Sequence, residues 1–182
     1  MQPRKFIPIS ISLLTISDTR ILDNDKSGDI LNKKIIESGH KVYQREIVKD
    51  DIYQIQSISK LWIKDPKTEV IISTGGTGLT GRDVSPEAFR EIFDKEIEGF
   101  GEIFRHISFA KIGTSSMQSR ACAGVSKGKY IFVLPGSPSA CRDAWDEILI
   151  HQLDYRNKPC NFVEIMPRLM EKGFGRTGKK ID

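Results

Sequence analysis

The chain of 182 residues is 38% hydrophobic and 29% charged, which excludes disordered and collagen-like classes, and its length fits one domain. Lys and Arg number 28 against 24 Asp and Glu, a net charge of +4 that permits acidic ligands or nucleic acid as partners but demands neither. No apolar run reaches the roughly 18–20 residues of a membrane span, and no small-residue cleavage pattern follows Arg4 and Lys5, so a cytoplasmic protein without a signal peptide is expected.

Ile9–Ile16 reads as a first strand, closed by the turn-prone Ser17-Asp18-Thr19. After a polar loop over 20–28, the pattern predicts a helix over Asp29–Ser38 that stops at Gly39. Lys41–Val48 reads as a second strand. Asp50–Lys64 reads as a helix, with Ile52, Ile55, Ile58 and Trp62 at helical spacing and two acids at its N-terminal dipole. Glu69–Ile72 is short and apolar on both faces, as a central parallel strand would be. Ser85-Pro86-Glu87 predicts a helix start, with Ser85 as N-cap and Phe89, Ile92 and Phe93 as the apolar stripe. Gly99-Phe100-Gly101 then reads as an interruption before a helix over Glu102–Phe109. Ala121–Val125 and Tyr130–Leu134 read as strands joined by a turn, and Ser137-Pro138 opens a helix that carries Cys141, Trp145, Ile148 and Leu149 inward. A last short apolar run is Phe162–Ile165. Alternating strands and helices predict an α/β fold with a mostly parallel sheet, and ligands of such sheets bind at the carboxyl ends of the strands.

The strongest local feature is Thr74-Gly75-Gly76-Thr77-Gly78-Leu79-Thr80-Gly81-Arg82-Asp83. Successive N–H groups in such a loop cradle anions. Gly76-x-Gly78-x-x-Gly81 matches the dinucleotide pattern literally, but it follows the third strand and its helix begins late. The same stretch is one step from a P-loop, with Arg82 and Asp83 in place of Lys and Ser/Thr. The remaining alternative is a glycine-rich turn without a ligand, against which the adjacent Arg82 and Asp83 argue. Neither a disulfide framework nor a zinc site is suggested by Cys122, Cys141 and Cys160. His40, His106 and His151 stand isolated and read as structural, Trp62 and Trp145 as core, and no G-x-S-x-G elbow supports an esterase.

Taken together, the blocks are more specific than any one loop. Ser17-Asp18-Thr19, Thr74-Gly75-Gly76-Thr77-Gly78, Arg82-Asp83 with Ser85-Pro86-Glu87-Ala88, Gly99-Phe100-Gly101-Glu102 with Arg105, Gly113-Thr114, Ser119-Arg120-Ala121 and Pro135-Gly136-Ser137-Pro138 occur in order. This series resembles the MoaB/MogA family of molybdenum-cofactor biosynthesis proteins over about Ile9–His151. Ile47–Ile52 and Cys160–Val163 look closer to its MoaB branch.

The resemblance implies a three-layer αβα sandwich of the molybdopterin-binding type, one domain over 1–167, with 168–182 as a flexible basic tail. It also implies a homotrimer or hexamer and contact with other molybdenum-cofactor biosynthesis proteins. The activity it implies is adenylylation of molybdopterin with ATP and magnesium. The family's two important acids map onto Asp50 and Asp83, with Asp51 as a rival for the first, and both would hold magnesium. Asp18, Thr74, Gly75, Gly76, Thr77, Gly78, Arg82, Ser119, Gly136 and Ser137 would bind pterin or nucleotide.

The chemistry fits these residue types. Carboxylates hold magnesium while leaving water and phosphate positions open, and a guanidinium such as Arg82 clamps phosphate bidentately. The plainer readings are Arg82 paired with Asp83 or Glu87, Asp50-Asp51 as a helix N-terminus, and the serines as caps. Two other functions stay open: a non-catalytic pterin-binding scaffold on the same fold, and a nucleotide pyrophosphatase of the related competence-damage-inducible type. Trimerisation would also help explain Phe100 and Phe104, which are expected to be exposed aromatics. The whole charge surplus falls in residues 155–182, so a basic nucleic-acid face on the body of the domain is not expected.

Overall fold

The computed structural model describes residues 4–171. Six strands form one sheet: β1 (Ser10–Ile16), β2 (Lys41–Val48), β3 (Val70–Thr74), β4 (Lys95–Glu96), β5 (Cys122–Ser126) and β6 (Lys129–Leu134). Their order is β2-β1-β3-β6-β5-β4. The four strands β2, β1, β3 and β6 run parallel, and β5 and β4 complete the far edge antiparallel.

The helices are α1 (Lys26–Glu37), α2 (Ile52–Lys64), α3 (Ser85–Arg90), α4 (Glu98–Ile112), α5 (Pro138–Ala144), α6 (Ile150–Gln152) and α7 (Phe162–Ile165), with a π-helical stretch, Trp145–Leu149, linking α5 to α6. Side chains alternate across a strand, so each face of the sheet builds its own core. Ile11, Leu13, Ile72 and Phe132 pack with Leu31 and Ile35 of α1, Phe104 of α4 and Trp145. Leu14, Ile16, Ile71 and Val133 pack on the opposite face with Ile55 and Trp62 of α2 and Phe89 of α3. Every residue of β3 is buried. This is the expected αβα sandwich.

Several predicted boundaries move. Helix α1 starts three residues earlier than expected because Asp25 caps it, accepting from the Gly28 N–H at 3.0 Å. Asp51, not Asp50, caps α2 by accepting from the Gln54 N–H at 2.8 Å. Ser85 is not the N-cap of α3: its hydroxyl donates to the Gly75 carbonyl at 2.8 Å, so it serves the glycine loop. Helix α3 ends at Arg90, leaving Ile92 and Phe93 beyond it but still packed against the second core.

Gly99-Phe100-Gly101 does not interrupt a helix; α4 runs through it from Glu98. Phe100 and Phe104 are 4% and 1% exposed, so they belong to the core and give no account of a subunit interface. His40 is a core residue, its Nδ1 accepting from the Ile9 N–H at 3.2 Å. Phe162–Ile165 is a short helix, capped by Asn161. From residue 172 onward, the predicted basic tail lies outside the described residues.

Candidate active site

Helix α1 packs on one face of the sheet and α2 on the other. The chain therefore leaves β1 toward β2 on one side and returns toward β3 across the other, which makes the C-terminal ends of β1 and β3 a topological switch point. Four parallel strand ends deliver the loops there. β1 leads into Ser17-Asp18, β2 into Lys49-Asp50, β3 into Gly75-Gly76 and β6 into Pro135-Gly136-Ser137. Between them lies an open cleft of about 680 Å³, lined by Asp18, Asp50, Gly75, Gly76, Arg82, Asp83, Gly136 and Ser137 together with Ile16, Ser17, Thr19, Arg20 and Pro138.

Bare backbone brings these ends together. Gly75 and Gly76 have φ of +109° and +62°, which side-chain-bearing residues rarely adopt. A Cβ on Gly75 would stand 2.1 Å from the Ile16 carbonyl oxygen, and one on Gly76 would stand 2.5 Å from Asp50 Oδ1. The Gly75 N–H donates to the Leu134 carbonyl at 3.0 Å, and the Ser85 N–H donates to the Gly76 carbonyl at 2.9 Å. The loop thus touches β1, β6, the Asp50 carboxylate and the start of α3 within two residues.

The carboxylates of the cleft differ in setting. The Thr80 hydroxyl and N–H donate to Asp83 Oδ2 at 2.6 and 3.0 Å. The Thr80 hydroxyl is the main reason that the Asp83 carboxyl lies below its ordinary range, helped by the Gly78 N–H and the charge of Arg120. Asp50 moves the other way. Burial raises it first, and the like charges of Asp18 and Asp83 raise it further against a partial offset from Arg82. Arg82 pairs with Asp18 and not with Asp83 or Glu87.

Four of the expected binding residues do not reach the cleft. Thr77 is buried, and Gly78 sits behind the Asp83 carboxylate. The Thr74 hydroxyl is spent on the Pro135 carbonyl at 2.8 Å. Ser119 contacts its own neighbour, the Ala121 N–H at 3.5 Å. Ser137 does line the cleft and also caps α5, accepting from the Ala140 N–H at 3.2 Å.

Two residues matter that sequence reasoning did not single out. Arg120 fastens the glycine loop: its Nε donates to the Gly78 carbonyl at 2.8 Å, its Nη2 to the Asp83 carbonyl at 2.7 Å, and it pairs with Glu87. The signal was present in the Ser119-Arg120-Ala121 block, but it pointed to the wrong member. Asp25, fully buried, is the other. The Thr15 hydroxyl donates to it at 2.6 Å and Arg45 at 2.9 Å. Burial pushes the Asp25 carboxyl up, but the hydrogen bonds from Thr15, Arg45 and the Gly28 N–H outweigh it and hold the group below its ordinary value.

As a chemical arrangement, the cleft offers hard oxygen donors, backbone free of side chains at Gly75 and Gly76, and two guanidinium groups. That set suits a divalent cation bound with a phosphorylated ligand. The donors fit magnesium in number and kind, since it takes one or two carboxylates plus phosphate and water. Among the described residues, no three His, Cys, Asp or Glu side chains are already gathered as metal ligands.

Comparison with known proteins agrees with this architecture. The family described as "Probable molybdopterin binding domain" matches residues 12–155. Molybdenum cofactor biosynthesis protein B of Escherichia coli (strain K12) is 49% identical over 158 residues, 87% of this chain and 93% of that protein. A crystal structure of a molybdenum cofactor biosynthesis protein B superposes with a TM-score of 0.80 at 42% identity, covering 82% of this chain and 94% of the other. The tungsten cofactor synthesizing protein MoaB from Pyrococcus furiosus superposes with a TM-score of 0.74 at 29% identity, covering 90% and 98%.

Proposed function

The chain belongs to the "Probable molybdopterin binding domain" family, as a molybdenum cofactor biosynthesis protein of the MoaB type, and on that premise we propose that it binds molybdopterin in the cleft at the strand ends and adenylylates it with ATP and magnesium. The observation that carries the reading is the meeting of Asp18, Asp50 and Asp83 beside the glycine loop, with the Asp50 carboxyl raised by burial and by its two acidic neighbours. Unneutralised like charge at a strand-end cleft is relieved when a cation binds.

Asp50 and Asp83 are the residues that would hold magnesium. When bound, the metal neutralises phosphate charge during attack on the α-phosphorus of ATP. The chain's own groups do the rest. Thr80 and the Gly78 N–H keep Asp83 ionised and oriented. Arg120 holds the loop that carries it. Gly75 and Gly76 leave room for phosphate to approach the backbone, and Arg82, released from Asp18, clamps it. Positioning and charge stabilisation carry most of phosphoryl-transfer catalysis.

The test is a pyrophosphate-release assay with purified protein, molybdopterin, ATP and magnesium. Turnover that disappears without magnesium is expected, and binding of molybdopterin without turnover would refute the transfer. That second outcome is the scaffold reading. One observation favours it: Arg82 is engaged by Asp18 across the mouth of the cleft.

A homotrimer or hexamer belongs to the same proposal. Phe109 and Ile112 in the last turn of α4 and Met117 just beyond it are 58%, 58% and 78% exposed, exposed apolar side chains that suit contact with a second copy. Light scattering at micromolar concentration checks it, and a monomer would refute it.

A further inference from the structure

The cleft is not single. Across the loop that follows β1 lies a second cavity of about 640 Å³, walled by Ile21, Leu22, Arg45, Ile47 and Lys49 among others. Only Ser17, Asp18 and Arg20 line both cavities. We propose that Arg20 is the fixed phosphate receptor of this protein, seated where the two cavities meet, and that buried Asp25 positions it. The inference rests on the reading of the cleft as a site for phosphorylated ligands.

The two arginines of the cleft are built differently. The Arg82 side chain is 75% exposed and already in contact with Asp18, so an arriving phosphate competes with a carboxylate for it. The Arg20 side chain is 30% exposed, and its Nη1 stands 3.7 Å from the fully buried Asp25 carboxylate. Nη2 of Arg20 donates to the Gly136 carbonyl at 3.1 Å, the one hydrogen bond its guanidinium makes among the described residues. A guanidinium carries five N–H donors, so most of its fork remains for a ligand.

The mounting is itself braced. The Ser27 hydroxyl also donates to the Gly136 carbonyl, at 2.7 Å, and the Arg20 N–H donates to Ser17 Oγ at 3.2 Å. Asp25 is locked by Thr15, Gly28 and Arg45. A cation held by a buried anion and a carbonyl loses little freedom when it binds, which is where preorganisation yields affinity. Asp18 opposes an anion here, as do Asp23 and Glu46 on the wall of the second cavity; pairing with Arg82 reduces the first, and Arg45 and Lys49 line the same wall as the other two. A phosphate seated on Arg20 has open space on both sides, so its ligand extends into either cavity.

The ligand chemistry is a phosphate ester or diphosphate, supplied by either the pterin or the nucleotide. Calorimetric titration of inorganic pyrophosphate, AMP and molybdopterin into the wild type, Arg20→Gln, Arg20→Lys and Arg82→Gln separates the sources. Circular dichroism confirms that each variant is folded. Arg20→Gln is expected to weaken at least one phosphate compound by about 10- to 100-fold, as loss of a charge-assisted pair does. Arg20→Lys recovers part of the loss, because it restores the charge without the fork, and Arg82→Gln loses less than Arg20→Gln. Dephosphorylated molybdopterin should bind the wild type and Arg20→Gln equally.

Equal binding of every phosphate probe by the wild type and Arg20→Gln overturns the proposal, as does a wild type that binds none of them. If the wild type binds molybdopterin and Arg20→Gln leaves the binding of molybdopterin, AMP and pyrophosphate all unchanged, the assignment of Arg20 fails while the pterin reading stands. If the wild type ignores molybdopterin but binds AMP or pyrophosphate through Arg20, the pterin reading fails while the assignment stands.

Discussion

Asp25 and Asp50 stand on opposite sides of the β1 end, and the protein treats their charges in opposite ways. Asp25 is fully buried and surrounded by donors, so its carboxyl stays below the ordinary value of 3.8. Asp50 is half-buried beside Asp18 and Asp83, so its carboxyl rises above 3.8. The contrast teaches that burial alone does not decide the direction in which a carboxyl shifts. A satisfied buried charge holds a fold together. A crowded charge at a cleft stores a demand for a cation.

The largest expected effect lies on the reactive side. Asp83→Asn should abolish adenylyl transfer, lowering the rate by about 10³-fold or more, as loss of a charge-stabilising group does, while thermal unfolding stays close to wild type. Turnover near the wild-type rate would remove Asp83 from the metal site.

The next effect lies on the structural side. Asp25→Asn leaves Arg45 and Arg20 without their buried anion and should destabilise by about 3 kcal/mol, read by urea unfolding. Because the folded Asp25 carboxyl is depressed, its stabilisation is complete above its unfolded value and is lost as pH falls through the folded one. The gap between wild type and variant should therefore close in acid. A gap that persisted at low pH would assign the effect to shape and not charge.

Asp51→Ala sharpens the comparison by separating neighbours. It removes the cap of α2 and should cost about 1 kcal/mol with transfer retained. Asp50→Asn should do the reverse: transfer falls, and stability at neutral pH stays equal or rises slightly. The sign follows from the raised carboxyl, whose ionised form costs stability once pH exceeds its folded value. Loss of stability in Asp50→Asn would place Asp50 with Asp25, as a structural charge, and erase the contrast.

Much of the fold was legible because its signals are local. The all-apolar run of β3, the glycine loop after it, and the Ser137-Pro138 helix start each need only a few adjacent residues to be read. The glycine loop with Arg82 and Asp83 stood out the same way, whereas Asp50 was singled out only through the family resemblance, since by itself it reads as part of a helix N-terminus. Misreadings came where local signals pointed two ways. Gly99 and Gly101 lower helix propensity, yet burial of Phe100 and Phe104 carries α4 through them. Ser85 has the type of an N-cap, but the Gly75 carbonyl is the acceptor its hydroxyl meets.

By itself, then, the amino-acid order determined the alternation of strands and helices, the strand-ending loops that carry the motifs and the residue types available there. Only the tertiary structure decided the partnerships. It gave Asp51 the helix cap and left Asp50 to the cleft, and it tied Arg82 to Asp18, 64 positions away. It set Arg120 behind the glycine loop and Arg20 against buried Asp25. The reason is physical. Periodicity and turn chemistry act over a few residues, whereas a carboxylate's charge state depends on which strand ends the sheet brings within a few ångströms of it.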